Sequence, residues 1–372
     1  MPHATRLACA LAAACALALP AHAKDPELRF EKYTLKNGLT VILSEDHRMP
    51  QVAVDVWYHV GAANQSLGRS GFAHLFEHMM FSGSKHVQPS PFKILETIGA
   101  SGVNGTTNFD RTNYFEVVPS NELATALWME SDRMGFLLDT LDQHKLEVQR
   151  NVVSNERRQS YENRPYRMSF LRTCDLFFPS PHPYYQCVIG SIPEIQAASV
   201  DDLKLFFHQF YTPNNASLAI VGDFDPAAAK ALVERYFGAV PQGPEVVRPE
   251  IPQAQLTSVL KDTVEDKLAE VPRVQILWTG VKRYSDEEAA GDILGRILGE
   301  GRTSRLYKSL VFEKQAASEV DAGNTALGLG GWFEVQATAQ AGKSAADLIP
   351  LMQAAIDSIK AAPPTAEEVE RV

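Results

Sequence analysis

The sequence predicts an α+β fold: two homologous domains of mixed sheet packed with helices, the second incomplete at its C-terminus. Three observations predict it. Strand-like and helix-like segments follow one another without strict alternation, which argues against a simple parallel βαβ arrangement. A Pro- and Gly-rich stretch, PQGPEVVRPEIPQ, interrupts the chain at 241–253, as linkers do. Beyond it, the order of segments echoes the first part.

The elements follow in order. Residues 1–23, MPHATRLACALAAACALALPAHA, carry one Arg, an apolar run from Leu7 to Leu19 and an A-x-A site at Ala21-His22-Ala23. This is the pattern of a secretory signal peptide cleaved before Lys24. The run is shorter than the ~20 residues a membrane span needs, and no other segment is apolar enough to cross, so no stable membrane span is expected. A lipoprotein signal fits less well, because Cys15 lacks a well-placed Leu three residues before it. The expected destination is the periplasm or the medium of a bacterium.

The first domain is expected over 24–240. It opens with YTLKNGLTVILSE, where two β-rich runs flank Asn37-Gly38, the strongest short hairpin signal. A strand is expected at 52–60, then a helix at GFAHLFEHMMFSG (71–83), another near 91–98, and strand-like segments through NYFEVVPS (113–120). Helices are expected at 121–138, 146–158, 200–210 and 227–237, with a strand at 216–224. After a linker over 241–254, the second domain (255–372) offers a strand at RVQILWTGV and an apolar helix at AAGDILGRILGEG. GWFEVQATA at 331–339 then resembles NYFEVVPS, and each is followed by a long helix. The closing PPTAEEVERV reads as the first turns of another helix.

Composition narrows the function. Of 372 residues, 45 % are hydrophobic and 22 % charged, enough for roughly two globular domains. A formal charge of −10 argues against nucleic acid as a partner, which needs a basic surface. Two of the four cysteines, Cys9 and Cys15, fall in the signal peptide. Cys174 and Cys187 remain, flanking a Pro-rich segment. A disulfide and two free thiols both fit the sequence at this point.

The chemistry concentrates in GFAHLFEHMMFSG. His74 and His78 are four apart and Glu77 three beyond His74, so on a helix all three share one face. H-x-x-E-H is an inverted zincin motif. Two neutral imidazoles supply two zinc ligands, and a nearby carboxylate serves to remove a proton from water. The plainer account is a pair of hydrogen-bonded histidines at a helix–sheet contact. Against it stands the density of ionisable groups on an apolar helix, where unpaired charge is costly to bury. A third ligand must come from elsewhere, and the later helix offers Glu147, Glu156 and Glu162. His86, His144, His182 and His208 have no ligand-spaced partners and read as structural or exposed.

Beyond the motif, NGLTVIL, GFAHLFEHMMFSGS, the Asn104…Thr112-x-Tyr114 segment, VVSNERRQSYENRPY, HPYYQCVIGS, FYTPNNASLAIVGDF and GEGRTSRLYKSLV occur in order. On these segments the chain resembles the inverted-zincin peptidases that include pitrilysin, insulin-degrading enzyme and the mitochondrial processing peptidase, above all the bacterial short-subunit type. The resemblance implies a Zn2+-dependent endopeptidase acting on short or unfolded peptides. It implies His74, His78 and Glu156 as zinc ligands and Glu77 as general base. Asn104 would lie on an exposed edge strand where the substrate backbone pairs. Two departures stand out: Gln149 replaces an acidic residue common seven positions before the third ligand, and Gly105 stands where Ala is common. The family also implies a clam-shell chamber, here a homodimer or a heterodimer with a related subunit. The alternative it leaves open is a non-catalytic chamber or assembly subunit. Family members further use an Arg and a Tyr late in the second domain, which nothing here matches, so residues 24–372 alone are expected to bind zinc yet hydrolyse peptides poorly.

Overall fold

The Asn37-Gly38 turn joins two antiparallel strands, β1 (Glu31–Thr34) and β2 (Thr40–Glu45). Gly38 has φ +90°, a region glycine enters without a Cβ penalty. Asn37 turns its amide inward and donates to Phe237 O and Val240 O at 2.8 and 2.9 Å. The structure is a computed structural model that describes residues 27–248, 251–252 and 256–372. The expected signal peptide at 1–23 lies outside the described residues, as do parts of the expected linker at 241–254.

Four more strands complete a six-stranded sheet: β3 (Gln51–Tyr58), β4 (Ser101–Thr107), β5 (Thr112–Pro119) and β6 (Ala216–Gly222). Their order is β1-β2-β6-β3-β5-β4. The last of them in sequence sits near the middle, parallel to β2 and antiparallel to β3. β3 shows why one face is buried. Val52, Val54, Val56 and Tyr58 are fully buried, while Ala53, Asp55 and Trp57 between them are not, the period of two a strand imposes.

Eight helices accompany this sheet: α1 (Phe72–Met79), α2 (Pro91–Thr97), α3 (Leu123–Phe136), α4 (Gln143–Arg157), α5 (Arg167–Phe177), α6 (Ile192–Ala197), α7 (Val200–Phe210) and α8 (Pro226–Phe237). α1 packs on β4 and β5 and against α4, and α3 packs on β3 and β5. α4 starts earlier than the expected 146, because Asp142 caps it by accepting from Lys145 N at 2.8 Å. It then passes into a π-helical turn, Arg158–Glu162.

The second sheet is smaller: β7 (Arg273–Thr279), β8 (Ala317–Thr325) and β9 (Trp332–Ala339), in the order β7-β9-β8. With α9 (Glu288–Gly299) between β7 and β8, and α10 (Ala345–Ala361) after β9, its path follows that of β3, α1, β4, β5 and α3. Asn324 lies opposite Phe333 as Asn104 lies opposite Phe115. The final α11 (Ala366–Arg371) is the short helix expected from PPTAEEVERV.

The helices of the two sheets differ in one decisive way. α9 turns Gly291, Gly295 and Gly299 toward β8. A Cβ on Gly291 would lie 2.9 Å from Asn324 Cγ, one on Gly295 3.0 Å from Gly323 Cα, and one on Gly299 would collide with the Ala322 nitrogen. The helix therefore rests directly on the strand and leaves no layer for long side chains. α1 carries His74 and Glu77 in that layer. We expect Gly299→Ala to cost about 1–3 kcal/mol through overpacking. Chemical denaturation checks this, and an undiminished midpoint would show that α9 can slide.

Candidate metal centre

α1 begins at Gly71, whose φ is +82° and which offers no side-chain cap. What requires glycine here is proximity: a Cβ would sit 2.8 Å from Ile189 O and 3.1 Å from the Cα of Gly190. Gly190, at φ +70°, is pressed as closely against Gly71 in return. Ser191 N donates to Ser70 Oγ at 3.0 Å, and Ser70 N to Glu194 Oε2 at 2.6 Å. The other end is also fastened. Asp132 of α3 accepts from Ser84 Oγ and from His86 N, and Gln149 of α4 donates to Ser82 Oγ at 3.2 Å. Phe76 anchors the apolar face, with Tyr211 at 4.2 Å and Phe207 at 5.6 Å between ring centroids.

So held, α1 turns both imidazoles toward α4. His78 Nε2 lies 3.2 Å and His74 Nε2 3.6 Å from the same oxygen, Glu156 Oε2. Ligands about 2.0–2.1 Å from a tetrahedral ion are separated by about 3.3–3.4 Å. Both distances to that oxygen are those of ligands that share one cation. Of the other acids nearby in sequence, Glu147 accepts from Gln143 and Glu162 pairs with Arg157. Ligand atoms of His74, Glu77 and His78 also lie within 4.8 Å of one another. Glu77, however, is engaged elsewhere: Thr107 Oγ1 donates to its Oε2 at 2.6 Å.

The electrostatics suit the donor set. Burial pulls the His74 imidazole down to about 4, with Glu156 opposing, so the ring is neutral at physiological pH. The hydrogen bond from His78 holds Glu156 below the usual carboxylate range. Burial pushes Glu77 above it, with the Thr107 hydrogen bond opposing. His74 Nδ1 is buried without a hydrogen-bond partner. Gln149, in the place of a common acid, serves Ser82 and not a ligand.

Asn104 does not join the cluster. It is exposed, on the outer edge of β4, which pairs only with β5 among the described residues. Its Oδ1 accepts from Gly105 N at 2.9 Å. Gly105 and Thr107, on the opposite face by strand alternation, border a cavity of about 340 Å³ together with His74, Glu77 and Glu156. The far wall is apolar: Phe109, Tyr161, Phe170, Val188 and Ile189. Cys174 and Cys187 form a disulfide with a Cα separation of 5.5 Å, tying α5 to that wall. Arg157, next to Glu156, donates to Gly190 O at 2.6 Å and secures its far end.

Sequence reasoning missed Thr107, Arg157 and the apolar wall. Thr107 was within reach, since a β4 register starting from Gly105 puts both on the α1 side. The wall comes from segments distant in sequence with no motif of their own.

A helix bearing two imidazoles and a carboxylate against a sheet edge, with a glutamate from a second helix, defines a metal-dependent peptidase architecture. The family model described as Insulinase (Peptidase family M16) matches residues 40–173, and the one described as Peptidase M16 inactive domain matches 197–372. The chain is 31 % identical over 314 residues to the zinc protease PqqE of Helicobacter pylori, covering 82 % of this chain and 69 % of that protein. A crystal structure of a protease from H. pylori superposes with a TM-score of 0.86 at 28 % identity, over 93 % of this chain and 83 % of the other. The periplasmic protease PqqL of Escherichia coli shares the fold, with a TM-score of 0.75 at 20 % identity, over 94 % of this chain and 39 % of that one. The chain belongs to peptidase family M16, a protease family.

Gly105 has a local reason. A Cβ there would meet the Phe81 ring at 2.8 Å and Glu77 Cγ at 3.2 Å. Phe81, stacked on Phe92 at 4.7 Å, fills the space a methyl group would take. Gly105→Ala should destabilise the protein by about 1–3 kcal/mol and displace Phe81. A thermal melt and a structure of the variant test both; an unmoved ring at parental stability would contradict the packing argument.

Proposed function

We propose that this chain is a zinc-dependent endopeptidase subunit that cleaves short or unfolded peptides. His74, His78 and Glu156 hold the ion and Glu77 is the general base. The observation that carries the reading is the convergence of His74 Nε2 and His78 Nε2 on Glu156 Oε2, beside a carboxylate that takes no part in it. Zinc, when bound, supplies Lewis acidity and makes water a stronger acid.

The chain's own residues do the rest. Glu77, its carboxyl raised by burial, accepts a proton from the attacking water and passes it to the leaving amine nitrogen. Thr107 holds one Glu77 oxygen and so aims the other. The outer edge of β4, with Asn104 on it, offers unpaired main-chain groups to an extended peptide, which gives affinity with little sequence demand. The cavity beside Glu77 receives one peptide side chain.

Around this site we place two homologous domains, 24–240 and 255–372, joined by a linker at 241–254, after a signal peptide at 1–23. The protein is then exported, in keeping with a Cys174–Cys187 disulfide, which persists in oxidising compartments. No helix among the described residues is long and apolar enough to cross a membrane. A second copy or a related subunit would close the chamber. The alternative, a non-catalytic subunit, is disfavoured by the complete set of His74, Glu77, His78 and Glu156.

Digestion of an unstructured peptide by the chain assembled with its chamber partner, with and without a chelator, tests the whole reading. Two variants test its parts. Glu156→Gln removes the anionic ligand, so metal analysis should find zinc well below one per chain; undiminished zinc would reassign the third ligand. In a complete enzyme, Glu77→Gln should keep zinc while hydrolysis falls ~10²-fold or more, and near-parental turnover would remove Glu77 from the mechanism.

A further inference from the structure

The second sheet contributes to the first sheet's core. Leu327 and Trp332, from the β8–β9 connection and the first residue of β9, are buried there. Trp332 is 2 % exposed and packs against Phe109, Phe170, Phe177 and Phe178, with ring centroids 6.1–6.3 Å away. Such separations lie within the range of favourable aromatic contact. Two of these rings, Phe109 and Phe170, line the cavity beside Glu77.

The connection that carries Trp332 is fixed beside Phe109. Gly328 N donates to Asp110 Oδ2 at 2.9 Å, and Leu329 N to Tyr184 Oη at 3.1 Å. Tyr184 Oη in turn donates to Asp110 Oδ1, and its ring lies 4.8 Å from that of Phe109. Phe170 stacks at 6.3 Å on Tyr161, another lining residue. The wall facing the metal site is thus largely aromatic, with Phe109, Tyr161 and Phe170 beside Val188 and Ile189, and part of what stands behind its rings comes from beyond residue 320.

We propose that Trp332 is a positioning residue that sets the depth of this cavity, so that the second sheet selects the size of the peptide side chain accepted beside Glu77. Close packing is the cause: a ring layer backed by an indole cannot retreat, and one backed by a void can. The inference rests on the peptidase reading for its substrate, but its test needs no turnover.

Full-length protein carrying Glu77→Gln is titrated with three fluorescein-labelled Gly/Ser decapeptides that differ only in a central Val, Phe or 2-naphthylalanine. Fluorescence anisotropy gives each Kd. Adding Trp332→Ala should shift the ratio of naphthylalanine to Val affinity about tenfold toward the larger side chain, the scale on which an apolar pocket discriminates size. Trp332→Phe should restore most of the parental ratio. Should Trp332→Ala fail to fold by circular dichroism, Trp332→Leu carries the same test with a smaller step. A uniform weakening of all three peptides would mean a structural role only and overturns the proposal, as would unchanged ratios or no binding of any peptide by the Glu77→Gln protein. Failure of the chain assembled with its chamber partner to hydrolyse an unstructured peptide, alongside a shifted ratio, would instead sink the peptidase reading and leave the wall's role standing.

Discussion

Side chains from two helices can converge on one point only if the helices that bear them are held apart by a fixed distance. Here α1 and α4 hold two imidazole nitrogens 3.2 and 3.6 Å from one carboxylate oxygen, a tolerance that helix propensity cannot supply. The chain supplies it by clamping α1 at both ends. Gly71 and Gly190 touch backbone to backbone at the start, and Asp132 and Gln149 hold the residues after its end. Arg157 links the two helices' supports, since it follows Glu156 and grips Gly190 O. The convergence of His74, His78 and Glu156 is therefore a property of loops as much as of helices.

Much of the fold was legible because periodicity and turn chemistry acted locally. The Asn37-Gly38 hairpin, the helix at 200–210 and the strand at 216 onward lie where the pattern put them. Helix ends moved by a few residues where a capping side chain such as Asp142 decided the start. The H-x-x-E-H face was legible because its spacing alone brings His74, Glu77 and His78 together. Glu156 was not separable from Glu147 and Glu162 by spacing, and only its match to a known family singled it out. Gly105 read as a departure without a cause until Phe81 was seen against it. The cavity wall was illegible, because Val188, Phe109 and Phe170 meet through tertiary packing and look like ordinary core residues in sequence.

The two sheets show how one path of chain can hold a site or exclude it. In the first, α1 stands off the edge strand by the length of a glutamate. In the second, Gly291, Gly295 and Gly299 let α9 settle on β8, and the space for ligands is gone. The second sheet instead sends Trp332 into the neighbouring core. Its contribution is to packing at the shared boundary, where a rigid aromatic contact is worth more than an ionisable group.

The position of β6 bears on how the molecule is made. β2 and β3 are near in sequence but not neighbours in space, because β6, more than 150 residues further on, inserts between them. A nascent chain that has not yet reached residue 222 has no strand to bridge that gap and leaves the main-chain groups along two strand edges unpaired. Non-local pairing of this kind is slow, since loop-closure entropy must be overcome before the contacts form. The order of synthesis thus delays closure of the six-stranded sheet until the chain has grown past its midpoint, and until then β2 and β3 must wait, each with one edge open, for a partner not yet made.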